Sequence, residues 1–371
     1  MENKIHPWWP KQPAIYDINK TYFENAEEGP FFNSEIPERN WPDKSEWIDF
    51  LGHKVASPIG IPAGPLLNSS WIDLAGKLGF DIPTYKTIRS HEHPSHPLPN
   101  VVPVQTHDQL IPEKLPISLT SLDQIPHEIQ NIGITNSFGN PSRTPEYLAE
   151  DIHRANAFLH EGQVMIVSVF GTEQEKVSLE DDFAITARFA MQCGAKIIEA
   201  NFSCPNVNAK EGSLYSNPEM VSTISKKIVD SIADIPLIIK LGLFQNPEQL
   251  RETMIAAARS GVRAICGINT ISMSVVDAHG KPTLGESRKE CGICGNPIRE
   301  AALKLIREAA KINREEKLDL VLMGTGGAMI PEHFDEFLEA GADVAMSATG
   351  MMWDPLLAMR YHKEIQCKIK N

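Results

Sequence analysis

From about residue 55 onward the chain alternates between short apolar runs and longer stretches with one apolar face. The runs at 58–62, 83–88, 164–170, 196–201, 236–241, 263–269, 318–323 and 343–347 are rich in Ile, Val and Leu and poor in charge. That is the pattern of strands buried on both faces. Each run is followed by a helical stretch, although after the second it comes only beyond a long insertion, roughly 89–143. The clearest helix covers 297–315, where Ile298, Ala301, Ala302, Leu305, Ile306 and Ala309 form a single apolar stripe. Asn296 is placed to cap it and Pro297 to occupy its first position. Eight strand–helix units predict a single (β/α)8 barrel rather than an open doubly wound sheet. The insertion is rich in Pro and His and has strand-like pieces at 101–105 and 117–120. A loop of that length inside a barrel predicts a lid or a wall of the site.

Residues 1–50 read differently. They hold 10 of the 26 aromatic residues and six prolines. Proline removes a donor and clashes inside a helix, so no single long helix fits. The expected organisation is an N-terminal extension over 1–50 and a barrel domain over 51–371. The extension is read as an arm laid over the barrel or a partner subunit, with a surface anchor or acceptor-docking site as the sharper alternative.

Composition narrows the partners. Of 371 residues, 35 are Lys or Arg and 48 are Asp or Glu, a net charge of −13. Such a surface repels phosphate backbones and argues against general nucleic-acid binding, but it leaves room for a local pocket that takes one small phosphate. Six cysteines in a chain this long, with no secretory signal, point to reduced thiols in the cytoplasm. No run of 18 apolar residues exists, so no spanning helix is expected. Cys291 and Cys294 form a single CxxC with no second pair. His91, His93 and His96 read as a solvated loop, and no metal is expected.

In a barrel the C-terminal ends of the strands build the site. Strands 7 and 8 lead into Gly326-Gly327 and Ala348-Thr349-Gly350, where backbone N–H groups and a helix N-terminus would hold an anion. Lys86 on strand 2 and Lys240 on strand 5 stand in apolar surroundings, which is costly unless the ammonium meets a partner. An anionic or electron-rich ligand would supply one, as would an internal ion pair. Asn136, Asn201, Asn206 and Asn269 offer uncharged donors and acceptors suited to a planar amide or imide ring. Cys204 stands between two of them as a candidate nucleophile or general base, or as an inert packed thiol.

In order, Leu51-Gly52-His53-Lys54, Pro62-Ala63-Gly64, Lys86-Thr87, Asn136-Ser137-Phe138-Gly139, Asn201-Phe202-Ser203-Cys204-Pro205-Asn206, Lys240, Asn269-Thr270, Gly295-Asn296-Pro297, Gly326-Gly327 and Ala348-Thr349 resemble the dihydroorotate dehydrogenases. The resemblance covers about Phe50 to Tyr361 and implies a flavin-dependent barrel. It implies FMN held by Ala63, Gly64, Lys86, Thr87, Asn201, Lys240, Ile268, Gly295, Gly326, Gly327, Ala348 and Thr349. The substrate would lie on Lys86, Asn136, Phe138, Gly139, Asn140, Asn201, Asn206, Asn269 and Thr270. In the implied reaction Cys204 takes the C5 proton of dihydroorotate, with Lys86 beside the substrate, and flavin N5 takes the C6 hydride. The cysteine is similar to that of the soluble class in de novo pyrimidine biosynthesis, a homodimer in the cytoplasm. The alternatives are a flavin enzyme for another dihydropyrimidine and a flavin-binding barrel without turnover. A phosphosugar-type barrel with Lys240 as a Schiff-base lysine is a further one. A separate electron-transfer subunit remains compatible with the sequence.

Overall fold

The computed structural model describes residues 15–106, 108–203 and 213–369. Eight parallel strands close into a barrel: β1 (Ile59–Ile61), β2 (Ile82–Ile88), β3 (Ile166–Val169), β4 (Ile197–Asn201), β5 (Leu237–Lys240), β6 (Ala264–Gly267), β7 (Val321–Thr325) and β8 (Val344–Met346). All eight coincide with the apolar runs. A helix follows each strand, and several of these begin at strong local signals. Thr144, Asn217 and Asn246 each cap a helix through the side chain and are followed by proline at the first helical position.

The cap expected at Asn296 is corrected. Residues Asn296–Ile298 form one 3₁₀ turn, and the α-helix proper runs Arg299–Glu316 with no side-chain cap. The Asn296 backbone N–H is committed to the Ile132 carbonyl at 2.8 Å, which holds this residue to the neighbouring loop.

The N-terminal end of the barrel is plugged. Ile48–Phe50 pairs antiparallel with His53–Val55. Phe50 and Val55 pack against Ile82, Ile166, Ile197, Ile238, Met323 and Met346. Beside this plug, Arg39 makes a two-pronged ion pair with Asp81 (2.6 and 2.7 Å), and Asp81 also accepts from Ser57 Oγ and Gln163 Nε2. One extension residue thus ties together the approaches to β1, β2 and β3.

The opposite end carries a second, five-stranded closed barrel. The insertion after β2 supplies Val101–Gln105, Ser118–Ser121 and Gly133–Asn136, and a hairpin after β6 supplies Ile271–Val276 and Glu290–Gly295. The two insertions join where Gly292 pairs with Asn136 and where Ser274 pairs with Ser118. The strand expected at 117–120 runs Ser118–Ser121, and Ile117 just before it is 99% exposed. Earlier in the extension, Ile15, Tyr16, Tyr22 and Ala26 are buried in the main apolar core. Among the described residues no helix is long and apolar enough to cross a membrane.

Candidate active site

Between the two barrels lies a cavity with two adjoining lobes of about 860 and 600 Å³. The lobes share Ala63, Gly64, Asn136, Phe138, Lys240, Asn269 and Thr270.

The larger lobe is reached by the ends of β7 and β8. Thr325, Gly326 and Gly327 line it beside Ala348 and Thr349, the latter opening a short helix, Thr349–Trp353. Gly327 has φ +83°, and a Cβ there would stand 2.7 Å from the Arg299 Cβ. Glycine lets the turn bring backbone against the lobe where any side chain would be strained. Gly64 lies on both lobes with φ +144°, and a Cβ there would meet open space. Ile268 and Gly295 also line the larger lobe, as does Cys294. The Cys294 thiol accepts from Asn136 Nδ2 at 3.2 Å, and burial pushes its pKa up.

The smaller lobe holds the polar groups. Lys86, Thr87, Asn140, Pro141 and Asn201 line it together with Tyr22. Asn201, at the end of β4, accepts from the Ser203 N–H at 3.2 Å and from Asn269 Nδ2 at 3.3 Å. Asn269 Nδ2 also reaches the Ser203 carbonyl. These bonds fix two of the four asparagines side by side, with Asn136 on the facing wall.

The two lysines are the electrostatic signature. Lys86 and Lys240 are 6% and 4% exposed. Lys86 Nζ donates to the Pro141 carbonyl and Lys240 Nζ to the Ala63 carbonyl at 3.3 Å. Among the described residues neither makes a salt bridge, whereas buried cations ordinarily meet a carboxylate. Burial, reinforced by the Arg89 guanidinium, pushes the Lys86 pKa down to about 7. An anionic or electron-rich ligand would satisfy both ammonium groups.

Of the residues that the resemblance implies as flavin or substrate contacts, every described one lines a lobe except Gly139. Its backbone, at φ +78°, packs against the His96 ring, which holds Ser137 Oγ at 2.9 Å. Gly139 thus stands beside the lobe wall, against His96. Cys204 and Asn206 lie outside the described residues. The sequence reading misses Tyr16 and Tyr22, because nothing local in the extension says which end of the barrel its aromatics reach. It also misses Arg89, which donates to the Asn140 carbonyl at 3.0 Å and the Gly139 carbonyl at 3.4 Å and so braces the same loop. A cation three residues after Lys86 was the available signal.

Comparison with known proteins agrees with this geometry. The family profile described as dihydroorotate dehydrogenase matches residues 123–369. The chain is 48% identical over 362 residues to a dihydroorotate dehydrogenase of Dictyostelium discoideum, covering 95% of this chain and 98% of that one. It is 28% identical over 179 residues to a dihydroorotate dehydrogenase A (fumarate) of Limosilactobacillus reuteri, covering 48% of this chain and 55% of that protein. It is also 26% identical over 223 residues to the catalytic subunit of a dihydroorotate dehydrogenase B (NAD(+)) of Methanocaldococcus jannaschii, covering 60% and 67% respectively. With its barrel, its two-lobed cavity and a relative matched almost end to end, the chain belongs to the dihydroorotate dehydrogenase family.

Proposed function

We propose that the protein is an FMN-dependent dihydroorotate dehydrogenase in which Cys204 is the general base. The observation that carries this is the pair of buried lysines that make no salt bridge among the described residues, Lys86 on the smaller lobe and Lys240 on both. The residues fit a flavin mononucleotide. Gly326, Gly327, Ala348 and Thr349 would take the phosphate at the start of the short helix. Ala63, Gly64, Ile268 and Gly295 would flank the ring system, with Lys240 able to neutralise charge on it. When bound, the flavin supplies the acceptor for the hydride leaving C6 of the substrate.

The chain's own residues do the rest. Asn136, Asn201 and Asn269 offer amide groups that match the donors and acceptors of a pyrimidine ring, and Asn206 would join them. Lys86 would meet the substrate carboxylate, with Phe138 and Asn140 forming the wall around it. Charged Lys86 then gains the counter-charge its burial denies it. Cys204 follows directly on Ser203 in the sequence, and the Ser203 carbonyl accepts from Asn269. Its thiolate takes the C5 proton. Residues 51–371 would be the catalytic barrel and 1–50 an extension laid on it, in a cytoplasmic protein.

The test is anaerobic addition of dihydroorotate to purified protein while the visible spectrum is followed. A yellow protein bleached by dihydroorotate is expected. A colourless protein that takes up no FMN, or a yellow one bleached only by a different dihydropyrimidine, would overturn the assignment.

A further inference from the structure

Part of the substrate lobe does not come from the barrel. Tyr22 begins the helix Tyr22–Glu28, held by a capping box between Thr21 and Glu24. Its ring lies in the wall of the smaller lobe. The Lys86 ammonium sits 5.0 Å above the centre of that ring. Phe138 meets the same ring nearly edge-on at 5.7 Å and meets Tyr16 at 6.0 Å. Tyr16 in turn lines the larger lobe.

The segment is firmly seated. Asn68 Nδ2 donates to the Ala26 carbonyl at 2.5 Å. Arg143 pairs with Glu27 and stacks over Phe23 at 4.2 Å. Asn25 is fully buried and satisfied by the backbone of Asp17, Lys20 and Thr21. The Tyr22 hydroxyl is buried with no hydrogen-bond partner among the described residues. The ring, then, is the part of Tyr22 that does something: it faces the lysine with the electron-rich surface of its π-system, which attracts a cation.

From this geometry we propose that Tyr22 is a positioning residue of the substrate lobe, holding Lys86 and Phe138 in place, and that docking of the N-terminal segment and occupancy of the lobe reinforce one another. The proposal rests on the functional reading above. A ligand on Lys86 binds better when the wall behind it is present, and by linkage it stabilises the docked segment equally.

The experiment compares wild type, Tyr22→Leu and Tyr22→Phe, all loaded with FMN, using orotate as the probe. Orotate affinity is measured by calorimetry, and cleavage after Lys20 by limited trypsin digestion with and without orotate. Loss of the cation–π contact predicts about 5- to 30-fold weaker orotate binding in Tyr22→Leu. Tyr22→Phe keeps the ring and restores most of that affinity, which a role of the hydroxyl would not allow. Orotate slows cleavage after Lys20 in wild type and less so in Tyr22→Leu. If wild type binds orotate but Tyr22→Leu binds it equally well, or if orotate leaves the cleavage rate unchanged, the segment's part in the site is overturned while the function stands. If wild type itself binds no orotate, the functional reading fails first. Should Tyr22→Leu fail to fold, the wild-type cleavage experiment decides alone.

Discussion

The two ends of the barrel treat buried charge in opposite ways. At the plugged end, Arg39 meets Asp81 with two short bonds, and Asp81 is further satisfied by Ser57 and Gln163. Apolar side chains fill the rest of that end. At the open end Lys86 and Lys240 are almost as deeply buried yet meet only carbonyls among the described residues. Burial, with the Arg89 guanidinium nearby, pushes the Lys86 pKa down to about 7.

Four changes would break or sharpen this contrast. The largest effect is expected at the open end. Cys204→Ala should still hold FMN and bind orotate but reduce its flavin with dihydroorotate ~10²–10⁴-fold more slowly, the usual contribution of a positioned base. Anaerobic stopped-flow would show it, and wild-type rates would make the thiol an ordinary packed one. Next comes the plugged end. Arg39→Ala leaves Asp81 buried and ionised without its partner, so about 3–5 kcal/mol of stability should be lost in chemical denaturation. Orotate affinity measured below the transition should barely move. Smaller again, Asn269→Ala should weaken orotate binding by ~1–3 kcal/mol, because a ring amide is left unpaired; calorimetry gives the number directly.

The subtlest is a slope. Below about pH 7 Lys86 is charged both folded and unfolded, and the empty folded protein bears the full cost of burying it. Between about 7 and its ordinary value of 10.5 only the unfolded chain still holds that proton, and the cost fades. Lys86→Met should therefore stabilise ligand-free protein most at pH 6, with the gain shrinking steadily towards pH 10. A gain that is constant with pH would mean the lysine keeps its ordinary ionisation.

The same contrast explains what could be read from the chain. Strands such as 236–241 are local signals, and they locate the barrel and the ends that build its site. Site residues on strand ends follow from them, as Lys86, Asn201 and Lys240 do. What depends on register between distant segments does not. Pairing of Gly292 with Asn136 makes the upper barrel, yet neither segment announces the other. One signal was present and unused: Ile271, Met273 and Val275 alternate with polar residues and are buried, a half-buried strand pattern. The extension's contacts at both ends, Tyr22 above and Arg39 below, are set by tertiary packing alone. Gly139 shows the same limit at finer scale, since its place in the loop says nothing about which way the turn faces.

The upper barrel also sets a timetable. Its strand Gly133–Asn136 leaves the ribosome long before Ile271–Val276 and Glu290–Gly295 exist to cover it. At ~5–20 residues per second the wait is on the order of ten seconds. Throughout it the first three strands of that barrel present an unpaired edge able to pair with a neighbouring nascent chain. Slow translation between the two insertions would lengthen that interval. The yield of this protein in a cell should therefore depend on how quickly the hairpin after its sixth strand is made.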